Sequence, residues 1–327
     1  MDEVTLKKLE EINEIKQLTE IISKYYPGFS VSSYTIEEIE KQLFHTYIKL
    51  IGKILYISPR NMRIFLKNYL IKYEITNIKR IILGTILSMS IPDKSILVNK
   101  LVEKYLDNIE FIDELIEAPS LDQIQLRMKT TKYNRAIREG ILYFKNTNEI
   151  FVLEAFLDQF YYENLNKEIS KLSTTERNII SLYLKYISEI YNLNLIHRGI
   201  KNNIEKKLLS QFLVNTYLFF TKYDILNLLD LTDVNDFILN INQHFTQTKE
   251  TRPLLLKFSL DKDHLLWSIE KLYLKHFFNR LVIHIENIDY QAIFKILEVL
   301  IKKDKEIHLY ILPKVVEILH EKYKRLK

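Results

Sequence analysis

Only five glycines and six prolines punctuate this chain of 327 residues. Sandwiches, propellers and doubly wound sheets need a turn-forming residue about every eight to twelve positions, so a chain with so few breaks reads as all-α. Apolar spacing agrees. Leu43, Tyr47, Leu50, Ile51 and Ile54 form one helical stripe, and Ile179, Leu182, Tyr186, Ile190 and Leu193 form another. Start signals agree too. Thr35-x-x-Glu38, Ser120-x-x-Gln123 and Ser173-x-x-Glu176 have the form of capping boxes, and Ser58-Pro59 puts proline at a first helical position. With 47% hydrophobic residues the chain can bury a large core.

An internal repeat decides how those helices are organised. Glu74-x-x-Asn77-Ile78-x-x-Ile81-x-x-Gly84 returns as Glu189-x-x-Asn192-Leu193-x-x-Ile196-x-x-Gly199, an offset of 115. Glu154-x-x-Leu157-x-x-x-Tyr161-Tyr162 returns as Glu270-x-x-Tyr273-x-x-x-Phe277-Phe278, and more faintly as Glu40-x-x-Leu43-x-x-x-Tyr47. A polar cap precedes an aromatic by twelve or thirteen positions three times: Asn13 to Tyr26, Ser120 to Tyr133, Asp233 to Phe245. The second glutamate of each copy follows the first by 34 (Glu40 to Glu74), 35 (Glu154 to Glu189) and 36 (Glu270 to Glu306). The spacing predicts three repeats of about 115 residues, at 1–92, 93–206 and 207–327. The third is degenerate: Leu309 stands where Asn is expected, and Pro313 is expected to break or kink its helix. A shorter solenoid period of about 38 has no repeating signature residues to support it.

Much chemistry lacks its residues. The chain has no cysteine, which removes disulfides, thiolate nucleophiles and cysteine-held metals and fits a reducing compartment. The eight histidines show no zincin-type spacing, and no metal site is expected. Asp261-Lys262-Asp263-His264 lacks the glycine and terminal glutamate of a calcium loop and reads as a helix-capping loop. Glycines at 28, 52, 84, 140 and 199 assemble neither a phosphate cradle nor a nucleophile elbow. No apolar run reaches the roughly 18 residues of a membrane span, and the acidic start Met1-Asp2-Glu3 opens no signal peptide. A net charge of +5, with 47 basic residues interspersed among 42 acidic ones, is mild for a nucleic-acid binder. The basic stretches 201–207 and 322–327 read as solvated ends. The aromatic pairs Tyr25-Tyr26, Tyr161-Tyr162 and Phe277-Phe278 sit on apolar stripes and are expected in the core rather than stacked on bases.

Particular stretches point to a family. Ile57 to Lys79, with its Glu74-x-x-Asn77-Ile78-Lys79, resembles the C subunit of archaeal-type rotary ATP synthases, the counterpart of the vacuolar ATPase d subunit. So do Ala118 to Tyr133, Leu153 to Tyr162 and Glu189 to Gly199; Leu83 stands where arginine is common, and Arg198 keeps it in the second copy. The resemblance implies a funnel of three helical units around a pseudo-threefold axis. It would be seated on the membrane proteolipid ring at the cytoplasmic face and would receive the rotor axle. It implies a non-catalytic coupling subunit, with no cofactor, no small-molecule substrate and no nucleic acid. Glu74, Asn77, Lys79, Gly84, Glu189, Asn192, Arg198, Gly199 and Glu306 are then structural repeat residues, of which Glu74, Asn77, Glu189 and Asn192 would orient helix ends within each unit. The competing expectation is a free-standing helical adaptor binding protein or nucleic acid.

Overall fold

The computed structural model describes residues 1–170, 172, 174–255, 265–286 and 291–325. The Ser173 box, the 261–264 loop and the side chains of the 322–327 tail lie outside the described residues. Every regular element among the described residues is helical. In order they are α1 (Glu3–Glu11), α2 (Ile15–Tyr25), α3 (Ile36–Ile57), α4 (Arg60–Ile86), α5 (Ile91–Leu97) and α6 (Lys100–Leu106). Then come α7 (Ile109–Glu117), α8 (Leu121–Arg127), α9 (Asn134–Thr147), α10 (Ile150–Ile169), α11 (Thr174–Lys201) and α12 (Lys206–Phe212). The chain closes with α13 (Lys222–Leu229), α14 (Val234–Gln247), α15 (Arg252–Leu255), α16 (Leu265–Glu286), α17 (Gln291–Glu306), a π-helical turn (Ile307–Ile311) and α18 (Leu312–Arg325).

Capping fixes several starts. Thr35 accepts the Glu38 N–H, Ser120 the Gln123 N–H, and Asp233 the N–H groups of Asn235 and Asp236. A complete box forms at Thr221, whose hydroxyl oxygen accepts the Asp224 N–H while Asp224 reaches back to its backbone. Two expected signals shift by one residue. Helix α2 is capped by Glu14 rather than Asn13, with no side-chain bond, and α4 begins after Pro59, whose carbonyl accepts the Arg63 N–H.

The chain divides into two compact units: residues 1–63 with 288–327, and residues 64–287. In the first, α3 packs on α17 and α18, and α2 on α18. Leu43, Tyr47, Ile51 and Ile54 of the expected α3 stripe are buried and Leu50 is half-buried, and the Tyr47 hydroxyl donates to the Leu300 carbonyl. Pro313 does not break the chain. The π turn in front of it absorbs the missing N–H and the ring's clash with the carbonyl four residues back, and Leu312 keeps helical dihedrals (φ −62°, ψ −43°).

In the second unit α10 packs on α9 and α11, and α11 on α16. An aromatic chain runs through this core: Tyr69 to Tyr183 (6.3 Å between ring centroids), Tyr183 to Phe277 (6.0 Å), and Tyr186 stacked on Phe277 at 5.7 Å. Tyr26, Tyr161 and Phe277 are buried, so each expected aromatic pair places at least one ring in the core.

Candidate functional site

The repeat glutamates and asparagines face inward, Glu74 and Asn77 from the middle of α4, Glu189 and Asn192 from the middle of α11, and Glu306 from the end of α17. Glu74, Asn77, Glu189, Asn192 and Glu306 are all at most 2% exposed. A buried carboxylate costs several kcal/mol unless hydrogen bonds or opposite charges compensate it, so its partners identify what it is for.

Glu74, on α4, accepts from the Tyr133 hydroxyl, from Asn108 Nδ2 at 2.7 Å, and from Lys132 Nζ at 2.9 Å. Glu306, at the end of α17, accepts from the Tyr26 hydroxyl at 3.1 Å, Lys303 Nζ at 3.0 Å and the Met1 ammonium. Glu189, on α11, accepts from the Tyr273 hydroxyl at 2.5 Å and from the backbone N–H groups of Leu218, Phe219 and Phe220. Each glutamate therefore holds a tyrosine hydroxyl. The rest of each cradle follows from the local chain. After α5 the backbone coils into α6, which occupies its own N–H groups, so Glu74 is served by side chains. The corresponding 215–220 segment is not helical, and its free N–H groups turn to Glu189. Glu189 has no ion-pair partner among the described residues, and burial pushes its carboxyl up despite those four donors.

The asparagines do one job at one spacing. Asn77 accepts the Asn99 N–H (3.0 Å) and donates to its carbonyl (3.2 Å); Asn192 does the same to Val214, both at 2.9 Å. Both partners lie 22 residues on. Asn77 Nδ2 also donates to Glu103 Oε1 at 2.8 Å. Glu103 is fully buried, and burial and then the Glu74 charge push its carboxyl up to about 8.

The glycines permit close approach. A Cβ on Gly199 would lie 2.2 Å from Leu209 Cδ1, and one on Gly84 would lie 2.9 Å from Lys94 Cγ. Each glycine carbonyl also accepts the closing bond of a left-handed helix cap. Met89 N–H donates to Gly84 and Ile204 N–H to Gly199, around Ser88 (φ 55°) and Asn203 (φ 52°). Seven-residue helices α5 and α12 follow, so 74–99 and 189–214 carry the same elements at one offset. Lys79 pairs with Asp158 at 2.6 Å, joining α4 to α10. Arg198 lies 3.4 Å from Glu154 and 4.5 Å above the Phe151 ring.

The sequence marks the glutamates and all three tyrosines, Tyr273 within its Glu270-x-x-Tyr273 landmark, without showing that they meet. Asn108, Lys132 and Glu103 carry no such signal. These observations define an all-helical protein whose motif side chains are directed at its own helix ends. No described helix is long and apolar enough to cross a membrane.

The chain belongs to the ATP synthase (C/AC39) subunit family, whose model matches residues 1–308. It is similar to the C subunit of the A-type ATP synthase of Pyrococcus furiosus, 25% identical over 214 residues, which covers 64% of this chain and 55% of that one. The same subunit of the Methanocaldococcus jannaschii A-type ATP synthase is 25% identical over 66% of this chain and 54% of its own length. Its counterpart in Methanothermobacter thermautotrophicus is 24% identical over 71% and 60%. The matched part of the chain thus spans little more than half the length of these curated relatives.

Proposed function

We propose that this chain is a central-stalk subunit of a rotary ATPase or ATP synthase. It is a non-catalytic socket that couples the rotor axle to the membrane proteolipid ring, held at the cytoplasmic face through that ring. The observation that carries the reading is the family match over residues 1–308.

In this reading the three repeats, 1–92, 93–206 and 207–327, stand as a funnel around a pseudo-threefold axis. The order of the buried hydroxyls supports it. The glutamate of the first copy takes its tyrosine from the second (Glu74 and Tyr133), and that of the third takes its tyrosine from the first (Glu306 and Tyr26). Such an order fits copies joined head to tail in a circle. Torque then passes through interfaces, and what the side chains contribute is stiffness. Carboxylates locked onto residues of neighbouring elements resist shear, because pulling one free leaves a buried charge without its donors.

Affinity isolation of the tagged full chain from its native membranes in mild detergent, followed by mass spectrometry, tests this. Co-elution of proteolipid and axle subunits is the expected result. An eluate free of both, containing only other soluble proteins or nucleic acid, would leave the adaptor reading in its place.

A further inference from the structure

Within the 64–287 unit an open hollow of about 450 Å³ lies between α11 and α16 and is bordered by the 218–219 and 248–250 segments. Asn178, Ser181 and Lys185 line it from α11, His276 and Arg280 from α16, and Glu250 from the loop.

The repeat shows what is unusual here. At the 115-residue offset Ser181 and Lys185 correspond to Leu66 and Leu70, both fully buried. At the 116-residue offset His276 corresponds to Phe160, whose ring packs edge-on to Tyr133 at 4.9 Å. Arg280 corresponds to Asn164, which is satisfied by Asn68 at 2.8 Å. Where the preceding copies carry two buried leucines and a phenylalanine, the copies that follow them present a hydroxyl, an ammonium and an imidazole to this hollow. These positions forgo the apolar burial that Leu66 and Leu70 have, and a merely solvated hollow gives no return for it.

The polar groups are also uncommitted. Asn178, Ser181, Lys185 and Arg280 make no side-chain hydrogen bond or ion pair with another described residue. The His276 ring is buried against Phe219 at 4.6 Å with its Nδ1 unpartnered. Two cations, a hydroxyl and a carboxamide amount to the donor set of an oxyanion, and the guanidinium plus ammonium suit one carrying more than a single charge. Glu250 is the one carboxylate among the described lining residues and opposes monoanions that bring too little charge to outweigh it.

We propose that this cavity binds a small phosphate-bearing anion, held by Lys185 and Arg280 with Ser181 and Asn178 completing its hydrogen bonds. Burial, and then the Arg280 charge, lower the pKa of His276, while Glu250 opposes them, so the ring faces the cavity neutral. A bound anion reverses the balance and draws a proton onto it. The site is independent of the rotary reading.

Inorganic pyrophosphate is the probe, titrated into the full chain by calorimetry, with the His276 ring nitrogens followed by NMR. Saturable one-site binding is expected, with the ring signals moving over the same concentrations. Lys185→Leu, which installs the residue of the preceding copy, and Arg280→Gln should each weaken binding about tenfold, the share of one charge-assisted hydrogen bond. Both side chains are exposed, so the melting temperature should hold. Absence of saturable binding, equal binding by the double variant, or tighter binding of citrate than pyrophosphate would each overturn the proposal.

Discussion

Tyr273 supplies the hydroxyl that Phe245 lacks. Their rings lie 5.8 Å apart, and Tyr273 donates to Glu189 at 2.5 Å. The counterparts of Phe245 are Tyr26 and Tyr133, which hold Glu306 and Glu74; those of Tyr273 are the buried Leu43 and Leu157. One position has lost a hydroxyl and its neighbour has gained one.

The exchange should be reversible. Tyr273→Phe removes a donor to a buried carboxylate and is expected to destabilise by about 1–3 kcal/mol. Phe245→Tyr, added to that variant, should recover a measurable part of the loss in urea unfolding. No recovery would mean that the two positions do not share the glutamate.

Asn192→Ala removes both bonds to Val214 and leaves a buried N–H and carbonyl unpaired, which is expected to cost about 2–4 kcal/mol. Native-state hydrogen exchange should show the Val214 amide losing protection ahead of the α11 core. Uniform loss across the unit would instead mark a global effect.

Glu103 gives stability a pH dependence of definite sign. Its folded carboxyl is pushed up to about 8 from an ordinary 4.5, so the folded state holds a proton that the unfolded state releases. Stability from this group is fully present below about 4.5 and is lost as pH rises towards 8. The wild-type midpoint should fall over that window. Glu103→Gln keeps an acceptor for Asn77 without the titration, and should flatten the slope and gain about 2 kcal/mol at a pH of about 8.

The glycines should differ in their tolerance. Alanine at either gains about 1 kcal/mol of helix propensity. At Gly199 the added methyl meets the branched end of buried Leu209, and overpacking of about 1–3 kcal/mol should outweigh the gain. At Gly84 it meets an unbranched lysine stem, and the loss should be smaller. Thermal melts of the two variants decide the order.

The repeat is legible because helix lengths, caps and glycine contacts impose spacing on the sequence itself, as at Gly84 and Gly199 or Asn77 and Asn192. Pairings are not. Glu306 meets Tyr26 at a separation of 280 residues, and no local pattern carries a contact between ends of a chain. At Pro313, where a break or kink is expected, the helical path continues beyond a π turn that has no signature of its own in the sequence. Ser181, Lys185 and His276 carry no signal of their own until Leu66, Leu70 and Phe160 supply the comparison.

The interleaved division of the chain sets an order of birth. Residues 64–287 form one unbroken unit that can fold as it leaves the ribosome, whereas residues 1–63 share their core with residues from 288 onward. At roughly 5–20 residues per second, the opening helices wait about 11–45 s for α17 and α18. For that interval Leu18, Ile22, Ile39 and Leu43 have no core to enter, so a stalled or truncated nascent chain offers chaperones and proteases its beginning rather than its middle.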